Sequence, residues 1–229
     1  MRARALIPAG VLAVVLVGGG WVALRNGRSD VASARASSAR AESQDSASDA
    51  TLLAARTRGS PAAPVTVIEI ADFQCPACRM FFTETLPALE HEYVDAGKVR
   101  MVFVNFPLVQ LHKNAAAAAE FAMCAAEQHR FWPVHDLLYE QQDSWAPLDD
   151  PSPYFYTLAD AAGLARDSLD ACIHSGRARQ LVMQEAQSVA RAGVHSTPSF
   201  IIEGGLLPGA APIEMWRPIL DSIYKAKTR

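Results

Sequence analysis

The stretch Val65-Thr-Val-Ile-Glu-Ile-Ala-Asp-Phe-Gln-Cys-Pro-Ala-Cys78 decides the fold of this chain. Val65 to Ala71 is a near-continuous apolar run, the pattern of a strand covered on both faces. Pro76 suits the first turn of a helix, where its missing N–H costs nothing. Cys75-Pro76-Ala77-Cys78 therefore sits at a strand-to-helix junction. Unpaired N–H groups at a helix N-terminus favour thiolate at Cys75, and Cys78 lies one turn on, within reach of a small disulfide ring. Such a pair takes up or gives up two electrons with no other cofactor. Zinc ribbons use the same spacing, but no second pair of ligands stands at a matching interval, and the six histidines show no HxxxH spacing. From the motif alone dithiol chemistry leads, with a metal site or two inert cysteines as alternatives.

Downstream, Met80, Phe81, Leu86, Leu89 and Tyr93 give a helical apolar face to about Asp95, and Pro87 within it predicts a kink. Gly97 ends that helix, and Val99 to Phe106 reads as a second strand. Strand, helix, strand in this order implies a right-handed crossover and a parallel pair. A helical block follows. Asn114 caps the alanine-rich run that begins at Ala115, Pro133 opens a helix through Leu138 and Tyr139, and helical patterns resume from Tyr154, Asp167 and Arg177. Gly193-Val-His-Ser-Thr-Pro198 then leads to a short strand from Ser199 to Glu203. Gly204-Gly205 signals a hairpin, and Pro212 to Lys225 closes with a helix that Pro218 delays or bends.

Together these pieces resemble the DsbA-like thiol–disulfide oxidoreductases of the thioredoxin superfamily. The matching segments are VTVIEIADFQCPAC, LHKNAAAAAEFAMCAAEQHRFWPVHDLLY, LADAAGLARDSLDACI and GVHSTPSFIIEGGLLPGA. The resemblance implies an α/β, thioredoxin-like fold over residues 61–229, with an inserted helical domain at about 108–192. It implies Cys75 as the attacking thiol and Cys78 as the resolving thiol of a redox-active disulfide. Pro198 matches the family's cis-proline, which removes an N–H from the face shown to a client, and Thr197 would set its backbone groups toward an extended client peptide. Glu69 matches a buried acid that relays a proton to Cys78. A carboxylate in a run of Val and Ile needs a partner or a raised pKa, and a solvent-facing edge position is the plainer alternative. Cys124 and Cys172 match a second, structural disulfide, whose loop of about 50 residues would stabilise the fold by roughly 4 kcal/mol. No metal and no cofactor are expected. Ala77 stands where strongly oxidising members carry histidine, which leaves the direction of electron flow open. An oxidase of client proteins leads, followed by a reductase or isomerase; a metallochaperone or a non-catalytic chaperone on the same fold are rivals of other classes.

The chain has 229 residues, half of them hydrophobic, and a net charge of −3, enough for one well-buried domain with extensions. That balance gives no reason to expect nucleic-acid binding. Arg2 and Arg4 precede an uncharged stretch from Ala5 to Leu24, long enough at 1.5 Å per residue for the roughly 30 Å core of a bilayer. Residues 1–25 thus read as a transmembrane anchor, or as a signal segment cleaved near Ala32-Ser33-Ala34. Residues 26–60, rich in Ala, Ser, Arg and Asp, read as a flexible tether, with Thr51 to Arg58 able to add a short element at the domain edge. The expectation is a monomeric, single-pass membrane protein whose domain lies on the extracytoplasmic side (periplasmic or extracellular), or a secreted one after cleavage. Its partners would be client proteins with cysteines and a membrane redox protein that recycles the pair.

Overall fold

A computed structural model of the chain describes residues 50–229. The expected anchor, and the tether up to residue 49, lie outside the described residues. Helix α1 (residues 50–55) and strand β1 (Thr57–Arg58) come first, followed by β2 (Val65–Ala71). Thr51 to Arg58, read as able to add a short element at the domain edge, thus belong to the domain, inside the span of residues 26–60 expected as tether. Leu52 is buried in the core, and β1 pairs antiparallel with β3 (Val99–Asn105), Thr57 opposite Val102. The Arg56 side chain is buried too, bonded to the carbonyl of Phe103 and ion-paired with Glu185.

Five strands form one sheet in the order β1-β3-β2-β4-β5, with β4 at Ser199–Ile202 and β5 at Gly205–Pro208. β2 runs parallel to β3, as a strand–helix–strand crossover requires, and antiparallel to β4. Between β2 and β3 the helix runs as α2 (Pro76–Met80), a π-helical turn Phe81–Thr85, α3 (Leu86–Leu89) and a second π-helical turn Glu90–Val94. Pro87 supplies the reason for the first π turn. It has no N–H to return to the Thr83 carbonyl, and the ladder widens ahead of it. The resulting helix still buries Phe81, Leu86, Leu89 and Tyr93 on one face.

The β2 alternation covers both faces of the sheet. Val65 and Val67 pack with Phe81, Leu89, Trp216 and Leu220 on one side, while Ile70 meets Ala186 and Val189 on the other. Trp216 and Leu220 come from the closing helix, Ile213–Lys227, which carries Pro218 inside it and is not delayed by it. The helical insertion consists of α4 (Ala115–Glu127), α5 (Phe131–Glu140), α6 (Gln142–Trp145), α7 (Ser152–Ala162) and α8 (Arg166–Ser175), and α9 (Arg177–Arg191) returns from it to the sheet. Ala118, Ala119, Ala122, Ala125 and Ala126 of α4 are almost fully buried, and side chains that small let the surrounding helices approach closely. α10 is the closing helix named above, Ile213–Lys227.

Candidate active site

β2 ends in a turn that presents the two cysteines. The Asp72 carbonyl accepts the Cys75 N–H at 3.1 Å, and the Asp72 carboxylate accepts the Gln74 N–H at 2.8 Å. Cys75 is the N-cap of α2 and Pro76 its first residue. Cys75 keeps 7% of its surface exposed and Cys78 none, and both thiols are free. The loop before β4 closes over this pair. Its Thr197–Pro198 peptide bond is cis, and the Cys75 thiol lies 3.4 Å from the Thr197 carbonyl oxygen. The sequence separates these residues by more than a hundred positions, and the antiparallel β2–β4 pairing brings them together.

The two sulfurs differ in their chemistry. The Cys78 S–H donates toward Cys75, and backbone N–H groups of Cys78 and Ala77 add to it; against burial, they lower the Cys75 pKa from 9.0 to about 6. Burial pushes Cys78 well above 9.0, and the neighbouring Cys75 and Glu69 charges push the same way. One sulfur therefore favours thiolate at neutral pH and the other keeps its proton.

Glu69 lies on the central strand and is buried, so the solvent-facing alternative does not hold. Burial raises its carboxyl to about 8, a rise opposed by Arg58 and reinforced by Glu90. Arg58 joins that region to solvent: it pairs with Glu90 and with Asp136, the latter at 2.7 Å, and lies 4.0 Å over the Trp132 ring. Tyr139 completes the surroundings of Cys78. Its hydroxyl is 3.5 Å from the Asp72 carbonyl, and burial together with the nearby Cys78 and Glu69 pushes its pKa well above 10.0.

Several polar residues of the site carried no such role in the sequence. Gln142 on α6 donates to the carbonyls of Phe73 (2.7 Å) and Cys75 (3.2 Å). Gln74 donates to the Ala146 carbonyl at 3.0 Å and accepts the Asn114 N–H at 2.7 Å. Asn114 stands at the N-cap of α4, but its side chain makes no capping bond; it reaches the carbonyls of Ala146 (3.1 Å) and Leu148 (2.7 Å) instead. These amides bind the helical insertion to the cysteine turn. A polar Asp and Gln beside the motif are explained by turn chemistry alone, which hides their second contacts. A cavity of about 440 Å³ opens beside the turn, lined by Gln74, Pro76, His112, Gln142, Asp143 and Ala146 among others.

Cys124 on α4 and Cys172 on α8 are joined by a disulfide with Cα atoms 5.7 Å apart. His135 is a fully buried α5 residue whose Nδ1 meets Asp136 at 2.7 Å, with burial lowering its pKa. Among the described residues no group of three or more His, Cys, Asp or Glu side chains comes together in a way that could hold a metal ion.

A family model described as thioredoxin matches residues 51–222. The probable disulfide bond formation protein D of Bacillus cereus is 30% identical over 172 residues, covering 73% of this chain and 74% of that protein. A Na(+)/H(+) antiporter NhaA 3 of Salinispora tropica is 36% identical over 173 residues, 75% of this chain; the chain spans only 25% of that relative's own length. Among solved structures, α-DsbA1 of Wolbachia pipientis superposes with a TM-score of 0.68 at 22% identity, covering 76% of this chain and 92% of that one. Oxidised BdbD of Bacillus subtilis gives 0.67 at 21%, covering 74% and 92%. These two likenesses are of fold.

Proposed function

Because the chain belongs to the thioredoxin family and is a DsbA-like protein-disulfide oxidoreductase, we propose that Cys75 and Cys78 form its redox-active disulfide and that it oxidises cysteine-containing client proteins outside the cytoplasm. The observation that carries this reading is the asymmetry of the pair: Cys75 is partly exposed against the Thr197 carbonyl with its pKa near 6, and Cys78 is sealed beneath it with its pKa raised.

A client thiolate attacks Cys75 of the disulfide form, a client–Cys75 bond forms, and Cys78 leaves with the electron pair. A sealed thiolate is costly, so Cys78 takes a proton, and Glu69, whose pKa is about 8 and whose charge acts on Cys78, is assigned to give it. A second client thiolate attacks the client sulfur of the mixed disulfide and releases Cys75 as thiolate. The client has lost two electrons and the pair has gained them. A leaving group with a pKa near 6 departs readily, which favours the oxidising direction. Thr197 and Pro198 flank Cys75 as the surface for an extended client, with the Thr197 carbonyl in reach of it. Cys124–Cys172 is assigned a structural role.

Residues 1–25 are assigned to a membrane anchor or signal, residues 26–49 to the tether, and the oxidoreductase domain, a monomer, to the extracytoplasmic side. The apolar run Ala5 to Leu24 supports this, as does Cys124–Cys172, since such bonds persist in oxidising compartments. Among the described residues no helix is long and apolar enough to cross a membrane. A membrane redox protein that reoxidises Cys75–Cys78 completes the cycle.

The reduction potential of Cys75–Cys78 tests the direction. A value near −120 mV gives an oxidase, and one near −270 mV makes the protein a reductase. Refolding of reduced, unfolded ribonuclease by the disulfide form tests the activity itself, and failure of the intact protein to form disulfides overturns the oxidase.

A further inference from the structure

The Asp72 carboxylate makes three polar contacts at the site, and the exchange steps do not use it. Its side chain has no solvent exposure. One carboxylate oxygen accepts the Gln74 N–H at 2.8 Å; the other accepts the Leu108 N–H at 2.9 Å and meets His112 Nδ1 at 2.7 Å. A buried carboxylate in the turn that holds Cys75 opposes a second negative charge on that sulfur. His112 is the ionisable side chain bonded to it. It comes from the loop after β3, is 18% exposed at the side chain, and lines the 440 Å³ cavity beside Pro76.

We infer that His112 sets the oxidising power of the Cys75–Cys78 pair by neutralising the buried Asp72 carboxylate in the cysteine turn. It is a positioning residue, acting through Asp72, and the inference rests on the redox reading above. With His112 charged, the turn carries no net charge beside Cys75, and the thiolate of the reduced form is tolerated. Without it, Asp72 remains as a sealed negative charge, Cys75 holds its proton more tightly, and the disulfide becomes a weaker oxidant. Other charged groups around His112 are already matched: Asp143 of α6 pairs with Arg79 of α2, and Lys113 pairs with Asp149.

The test is a two-by-two set in the full protein: wild type, His112→Gln, Asp72→Asn and the double variant, each equilibrated with glutathione. His112→Gln should weaken the oxidant about tenfold in its equilibrium constant with glutathione, which is about 30 mV. Adding Asp72→Asn should restore it to within a fewfold of wild type, because the uncompensated charge is gone. A merely structural role predicts the reverse, a double variant no better than the single one. An unmoved potential in His112→Gln, or no rescue in the double variant, overturns the inference. If His112→Gln fails to fold, Asp72→Asn alone decides: with the buried carboxylate gone, the pair should be at least as strong an oxidant of glutathione as the wild type, and a weaker oxidant overturns the inference. A pair that cannot be cycled at all with glutathione refutes the redox reading instead, and is seen before any variant is made.

Discussion

The two cysteine pairs lie in one continuous hydrophobic cluster and behave in opposite ways. Cys124 and Cys172 bridge α4 and α8 across a sequence separation of 48. Cys75 and Cys78 are three positions apart, free, and surrounded by Glu69, Asp72 and Tyr139. Burial alone is therefore no guide to reactivity. What separates the pairs is the turn at the start of α2, where the Cys78 S–H and two backbone N–H groups lower the Cys75 pKa while burial raises that of Cys78.

Removing the reactive sulfur gives the largest effect. Cys75→Ser should reduce client oxidation to background while leaving the Cys124–Cys172 bond intact, as mass mapping of the disulfides would show. Breaking the other pair should do the converse. Cys124→Ala with Cys172→Ala should lower the unfolding free energy by about 4 kcal/mol in denaturant titrations, with client oxidation by the folded fraction retained. Loss of exchange in that variant would end the contrast between the two pairs.

Glu69 gives a smaller and pH-dependent effect. Its folded pKa of about 8 exceeds the ordinary 4.5, so the stability attached to its proton is complete below pH 4.5 and is lost as pH rises through 8. Glu69→Gln should therefore be more stable than wild type by about 2 kcal/mol near pH 7, with the gap widening from pH 5 to 8, and should slow exchange about tenfold. Cys75 has the opposite sign. Its folded pKa of about 6 lies below the ordinary 9.0, so the dithiol form should lose stability as pH falls from 9 to 6, a trend absent from the disulfide form. Thiolate absorbance should titrate near pH 6, and Ala77→His should move that midpoint down by less than one unit.

Most of the architecture was legible in the sequence because it rests on local signals. The VTVIEIA run, Pro76 after Cys75, Gly97 at the end of the first helix, and the hairpin at Gly204-Gly205 each act within a few residues. The edge of the domain was harder to read. Residues 50–58 look like a tether in composition, and only the pairing of Thr57 with Val102 and the burial of Leu52 and Arg56 make them part of the sheet. The cysteine turn was legible, whereas its polar surroundings were not. Asp72 and Gln74 read as ordinary turn residues and Asn114 as a helix cap, so nothing local reveals that His112, Ala146 and Leu148 complete their bonds from distant segments.

The amides that join the two halves have a consequence for engineering. Gln142 holds the carbonyls of Phe73 and Cys75, and Gln74 and Asn114 hold the loop at Ala146 to Leu148. The helical insertion is thus a template against which the reactive turn is cast, and not a cargo carried by the core. A chimera that grafts a foreign insertion between β3 and α9 inherits the cysteines and Gln74 but not their posture, unless Asn114 and Gln142 are transplanted with it.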